Sequence, residues 1–332
     1  MARLGIGLGG NGMTPPEVVD CVRLAEELGY DSAWLSEGHG GDQFSLLTAC
    51  AIATERIRLG TSISSVFVRS APTIAMAAAC VDHFSGGRFI LGLGSSHKVQ
   101  VEGEHGLRYA RPVQHLMETM DIIRALLRDG VASYHGEIFD IQRFDIWFKP
   151  LRREIPIYLS AVFPRMLRIC GETAQGAILT WTTVENARKA AEVVTAGARA
   201  AGRRPGEVEV AALLSTSVSP DGASDSGDIR EALAYYAGFF PRYNRHLAES
   251  GFPQEAAILR DAYQEDRRGM DLAALVPDRM LRALAITGTS EECRNRLEEY
   301  RRVGVTLPII APRCSGPHAK KRVMEVIRAC AP

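Results

Sequence analysis

Short apolar runs alternate with longer stretches of helical periodicity along most of the chain. Leu4, Ile6 and Leu8 lie in a strand-like run at 4–9, and Thr14-Pro15-Pro16-Glu17 then reads as an N-cap with prolines in the first helical turn. Val18, Val22, Ala25 and Leu28 recur near helical spacing, so 18–28 is predicted helical, and Gly29 ends it. The same alternation predicts strands at 32–36, 57–63 and 88–94, with helices at 44–54 and about 72–83 between them. Four strand–helix units in so short a stretch indicate a parallel sheet.

The second half continues the pattern with longer excursions. Val113, Leu116, Met117, Met120, Ile123, Leu126 and Leu127 line one face of a helix. Residues 133–141 read as a small β excursion turning near Gly136, and 219–227 as a polar, glycine-containing loop. Strands are predicted at 155–160, 176–180, 208–216 and 306–311, and helices at about 228–250, 254–266 and 291–302. Eight strands separated by helices predict one (β/α)8 TIM barrel over 1–332, with insertions after strands four and seven at about 95–154 and 217–305. Two open-sheet domains are the competing arrangement, but no convincing linker divides the chain.

Composition narrows the function. Lys+Arg and Asp+Glu each number 39 in 332 residues, so the formal charge is zero, which excludes the electrostatic footprint of a general nucleic-acid binder or a polybasic membrane protein. At 46% hydrophobic residues the chain can bury a large core. The longest apolar run, around 71–81, is too short for a membrane span, and the first residues carry no hydrophobic signal region. Seven scattered cysteines without a C-x-x-C pair argue against a disulfide framework and point to a reducing cytoplasm.

Several constellations carry chemistry. Gly5 and Gly7 each begin a G-x-G-x-x-G match, but the helix opens at Thr14-Pro15-Pro16 after all the glycines, whereas a dinucleotide site needs its third glycine inside that helix. Glu37 and His39 follow strand two, on the face where barrel enzymes place their chemistry; there they are either a proton-handling pair or a solvated loop. Gly94, Ser95, Ser96, His97 and Lys98 follow strand four, where small residues let a flat or anionic ligand approach the backbone. Glu102, Glu104 and His105 come next, without an H-E-x-x-H or comparable frame, so no metal site is expected. After strand five, Val162, Phe163, Pro164 and Arg165 combine a helix start with a cation, a phosphate seat or an ordinary cap, and Thr180, Trp181 and Thr182 face the same side. Tyr235, Tyr236, Phe239, Phe240 and Tyr243 crowd the second insert, either as pocket wall or as packing against the barrel.

Residues 57–94 hold the most specific signal. Ile57-Arg58-Leu59-Gly60-Thr61-Ser62-Ile63, Arg69-Ser70-Ala71-Pro72, and the run from Asp82 through Ser85-Gly86-Gly87-Arg88 to Gly94 closely resemble the bacterial-luciferase-like family, barrel oxidoreductases that use FMN or the deazaflavin coenzyme F420. The similarity extends through Ser36-Glu37, residues 161–166, 176–179 and 286–289. The resemblance implies a cis non-prolyl bond at Ser62-Ile63 supporting the ring system, a ring or side-chain contact at Gly94, Ser95 and Ser96, and a phosphate seat formed by 162–165 and 180–182. It implies that Glu37, His39 or His97 manages the proton. Two departures stand out: Gly38 separates Glu37 from His39, and Phe163 replaces the family's frequent glycine before Pro164. Ser95-Ser96-His97-Lys98 and the long excursion at 99–111 are more similar to the F420-dependent branch. The implied activity is F420-dependent hydride transfer to or from a small organic substrate, with an FMN-dependent monooxygenase as the alternative and a non-enzymatic flavin-binding protein as a further one. The implied partners are the small-molecule substrate, a second copy in a homodimer, and a flavin or F420 reductase supplying reduced cofactor.

Overall fold

The computed structural model describes residues 3–9, 12–204, 206–219, 226–265 and 271–332. Most of the polar loop expected at 219–227, Gly10 and Asn11 of the glycine-rich stretch, and the end of the helix expected at 254–266 lie outside these residues. Eight parallel strands close a ring: β1 (Gly5–Leu8), β2 (Ser32–Leu35), β3 (Arg58–Thr61), β4 (Phe89–Gly94), β5 (Ile157–Ser160), β6 (Gly176–Thr180), β7 (Glu209–Val218) and β8 (Leu307–Pro312). Each pairs with its sequence neighbours, and β8 closes on β1 through Gly5 opposite Ile309 and Ile6 opposite Ile310. The strands are buried on both faces, which is why they read as apolar runs rather than as alternating ones.

Two apolar layers result. Trp34, Ile90, Tyr158, Ile178, Ala211, Leu307 and Ile309 fill the barrel interior, and a larger shell packs between strands and helices. Gly60 makes room for the central indole, because a Cβ there would stand 2.5 Å from Trp34. The helices begin as the sequence indicates. Glu17 reaches back to the Thr14 N–H at 2.8 Å to start Pro15–Glu27, and Thr289 and Glu292 form a reciprocal capping box before Ser290–Arg302. At the N-terminal end of the barrel, Arg3 donates to Glu209 at 2.5 Å and to Asp31 at 2.9 Å, and Tyr158 donates to Glu209 at 2.5 Å. This charged cluster closes the mouth away from the cavity described below.

The insertions fall after strands four and seven. The first holds the short helix Lys98–Gly103, the helix Pro112–Asp129 and an antiparallel hairpin, Val131–His135 with Asp140–Asp145. The second carries Gly227–Phe239, Pro241–Glu249, Pro253–Gln264 and Asp278–Leu284 around an apolar cluster of its own. Three expectations are corrected. The helix predicted at 228–250 is two helices, broken where Pro241 forces Phe240 to extended backbone. The third strand, predicted to run to 63, stops at Thr61 and resumes as Ser64–Ser65, with a cis bond at Ser62-Ile63 between the two pieces. A strand not predicted, Ala285–Gly288, extends the sheet beside the far end of β7. Among the described residues no helix is long and apolar enough to cross a membrane.

Candidate active site

A cavity of about 1060 Å³ opens at the C-terminal ends of the strands, the face that carries chemistry in barrels of this type. Its floor is formed by Gly7, Ser62, Ile63, Ser160, Thr180, Leu213 and Ala311, drawn from six of the eight strands or the residues that directly follow them. The inserts raise its walls. Gln100, Glu104 and His105 come from the first, and Tyr235, Tyr236, Phe240, Arg242 and Tyr243 from the second. The second insert's aromatics are therefore pocket wall, except Phe239, which stacks on Tyr235 with centroids 5.2 Å apart.

Of the residues singled out from sequence, Glu37, His39, Ser62, Ile63, Ser95, Ser96, His97, Val162, Phe163 and Thr180 all line this one cavity. Four do not. Gly94 lies behind Ile63, and a Cβ there would meet Ile63 Cδ1 at 2.7 Å and Ser160 Oγ at 2.6 Å. Pro164 and Arg165 are exposed at the start of the helix Pro164–Thr173. Trp181 is buried behind the wall, its ring 5.3 Å from that of Tyr236.

The ionisable groups differ sharply in surroundings. Both Glu37 oxygens are engaged, Oε1 by Arg69 Nε and Oε2 by the Ser65 N–H at 2.6 Å. Arg69 also pairs with Asp42, which holds that carboxyl down to about 2 against the opposing effect of its partial burial. Glu37 thus ties the lip of β2 to the bulge after β3. His39 is largely exposed at the mouth, with Nε2 3.2 Å from Glu104 Oε2 of the first insert. His97 is enclosed, its ring 4.3 Å from Phe240 and 4.9 Å from Tyr243. Burial, aided by the nearby Arg242 cation, pushes its pKa down to about 4, so it is neutral at neutral pH. Lys98, expected to attract anions, is exposed and pairs with Glu102. Among the described residues no three His, Cys, Asp or Glu side chains come together as metal ligands.

Backbone conformation marks the same place. Three non-glycine residues among those described have left-handed φ, and two of them, Ser96 (51°) and Trp181 (47°), adjoin the cavity. The Trp181 carbonyl accepts from His246 Nε2 at 3.0 Å and the Thr182 carbonyl from Tyr300 OH at 2.7 Å, which fixes the turn after β6. After β5, the N-cap residue Phe163 supplies no capping acceptor, so first-turn N–H groups of the following helix are left for a ligand oxygen. The Phe163 ring packs against Arg245 and His246 at the cavity wall.

Sequence reading missed two residues. Arg242 and Arg313 both line the cavity, and Arg313 stands directly after β8, where the barrel rule alone points to it. Arg242 follows Pro241 within an insert and carries no such signal.

The comparisons with known proteins agree with this geometry. The model of the family described as luciferase-like monooxygenase matches residues 1–307. The 5,10-methylenetetrahydromethanopterin reductase of Methanolobus tindarius is 29% identical over 310 residues, 92% of this chain and 93% of that protein. The F420-dependent glucose-6-phosphate dehydrogenase of Amycolatopsis mediterranei is 28% identical over 193 residues, 54% of this chain and 58% of that protein. Among solved structures, the coenzyme F420 dependent tetrahydromethanopterin reductase from Methanopyrus kandleri superposes with a TM-score of 0.84 at 23% identity, covering 99% of this chain and 98% of that one.

Proposed function

The chain belongs to the luciferase-like monooxygenase family, and we propose that within it this protein is an F420-dependent oxidoreductase transferring hydride to or from a small organic substrate. The observation that carries the reading is one cavity lined together by Ser62-Ile63, Ser95-Ser96, an uncapped helix start at Phe163 and the His39–Glu104 contact, in a chain whose relatives include an F420-dependent dehydrogenase. The residues fit such a cofactor. Ser62, Ile63, Ser95 and Ser96 line the cavity with Gly94 letting Ile63 pack close behind them, and the helix start at Phe163 offers N–H groups without a side-chain cap to a phosphate, with Thr180 lining the same cavity. When bound, F420 supplies a two-electron carrier that passes hydride and reacts poorly with dioxygen.

The protein's own residues divide the remaining work. Ser62, Ile63, Gly94, Ser95 and Ser96 seat the ring, and Val162, Phe163 and Pro164 with Thr180 present the phosphate seat. Arg165 and Trp181 act on it from its flanks, the one as an exposed cation and the other as the turn that sets Thr180. His39, its Nε2 3.2 Å from Glu104 Oε2 at the cavity mouth, takes up or delivers the proton at the substrate. Glu37 is a positioning residue, its carboxylate committed to Arg69 and Ser65. His97 is a neutral wall beside the substrate.

Titrating the purified protein with F420 and with FMN, followed by absorbance and fluorescence, tests this reading. F420 binding that is tighter than FMN binding is expected; tight FMN binding with no response to F420 overturns it. To the same reading belong a cytoplasmic location, supported by seven scattered cysteines without a C-x-x-C pair, and a reductase that supplies reduced cofactor. A homodimer is supported by the exposed apolar residues Trp147, Phe148 and Leu151.

A further inference from the structure

The cavity's charges do not balance. Three arginines line it, and Arg69 is neutralised by Glu37 and Asp42. Arg242 and Arg313 have no carboxylate within ion-pair reach among the described residues. Arg242 Nη1 reaches only Ser95 Oγ, at 3.4 Å, and Arg313 Nε donates to Ser215 Oγ at 3.2 Å. Each guanidinium lies over an aromatic face, Arg242 over Tyr109 at 5.4 Å and Arg313 over Trp181 at 5.5 Å, which holds its fork rather than discharging it. A relay of rings joins the two: Trp181 to Tyr236 at 5.3 Å, Tyr236 to Tyr243 at 5.0 Å, and Tyr243 to His97 at 4.9 Å, beside Arg242.

We infer that this wall is the substrate subsite, and that it takes a flat, aromatic or conjugated molecule bearing a carboxylate or phosphate, whose anionic end is seated at one of the two forks, Arg242 or Arg313, and whose body lies along the rings. A planar guanidinium fork matches an anionic oxygen pair, and the neutral rings between the two forks match an apolar body. His97 contributes surface without a competing charge. The inference rests on the oxidoreductase reading of the cavity and adds the chemical class of what is oxidised or reduced there.

Calorimetric titration of the full chain with benzoate, phenyl phosphate and neutral benzamide, with and without F420, tests it. Benzoate and phenyl phosphate are expected to bind at least ten-fold more tightly than benzamide. The double variant Arg242→Gln/Arg313→Gln is expected to abolish that preference while leaving the F420 fluorescence titration within two-fold and the thermal midpoint near the parent's. Equal binding of benzoate and benzamide overturns the inference. So does a double variant that loses F420 affinity instead, because the arginines then hold the cofactor's acidic tail. A protein that discriminates benzoate from benzamide yet ignores F420 sustains the anion subsite and defeats only the cofactor assignment.

Discussion

Replacing Glu37 with Gln separates two roles that share one place at the lip of β2. The amide keeps one acceptor oxygen but sets an NH₂ against either the Arg69 guanidinium or the Ser65 N–H, both of which are donors. One charge-assisted hydrogen bond is lost and a donor faces a donor. The side chains of Glu37 and Arg69 are only 16% and 22% exposed, so solvent repairs little. Breaking a fully buried ion pair costs about 3–5 kcal/mol, and a hydrogen bond to a charged group contributes about 1.5–3 kcal/mol. Arg69 retains Asp42, which places the expected loss near 2 kcal/mol at the lower end of those ranges. For a chain of this size that lowers the thermal midpoint by roughly 4 °C. Because the carboxylate also holds Ser65, the segment after the Ser62-Ile63 bond loosens, and F420 affinity in a fluorescence titration is expected to fall about ten-fold, a shift of about 1.4 kcal/mol. The pH profile of turnover should keep its shape. A variant with unchanged midpoint and cofactor affinity, but with turnover abolished and one limb of the pH profile missing, would make Glu37 the proton carrier and refute the positioning role.

Three further outcomes follow from named contacts. Gly94→Ala places a Cβ 2.7 Å from Ile63 Cδ1 and 2.6 Å from Ser160 Oγ, so Ile63 is pushed into the cavity. Cofactor affinity should drop at least ten-fold while stability falls by only about 1–3 kcal/mol, and a variant that binds F420 normally removes Gly94 from the seat. Arg88→Ala removes donors to the carbonyls of Ser85, Ile57, Ala51 and Thr54 far from the cavity; denaturant unfolding should show a loss of roughly 3 kcal/mol with F420 affinity unchanged. His97 has a folded pKa of about 4, below its unfolded value near 6.5, so its stabilising effect is complete above pH 6.5 and is lost as pH falls toward 4. The unfolding free energy from urea titrations should therefore drop more between pH 7 and 4.5 for the parent than for His97→Phe, by at most about 3 kcal/mol, and parallel pH dependences would contradict the neutral, enclosed imidazole.

The barrel was legible because both faces of each strand are buried, so apolar composition alone marked the strands to within a few residues. Ala285–Gly288 escaped because it follows the helix Asp278–Leu284 with no glycine or proline between them, leaving Leu284 and Ala285 in one unbroken apolar stretch. Pro241 was the visible signal for the break that brings Phe240 against His97, and helical periodicity on either side masked it. The run that identified the family is architectural: Gly86 and Gly87 take positive φ, Arg88 caps the helix Gln43–Ala53, and Asp82 pairs with Arg152, all far from the chemistry. The lip residues were found because strand ends are predictable. Which of Glu37, His39 and His97 is free to move a proton depends on partners 32 and 65 positions away in sequence or on an enclosing insert, and spacing does not encode that.

β7 runs ten residues, and its two ends belong to different parts of the molecule. Residues 209–213 pair with β6 and 211–216 with β8, while Ser215–Val218 pair with Ala285–Gly288 at the exit of the second insert. The cavity wall supplied by the second insert is therefore not hung on loops but spliced into the barrel by a continuous backbone ladder. For chimeras between relatives this sets the crossover points. A cassette cut before Ala285 leaves the host's short strand to mate with its own β7, whereas one cut beyond Gly288 imports a strand whose register must match Ser215–Val218 residue for residue. Substrate range can be traded by exchanging the insert, but only along that seam.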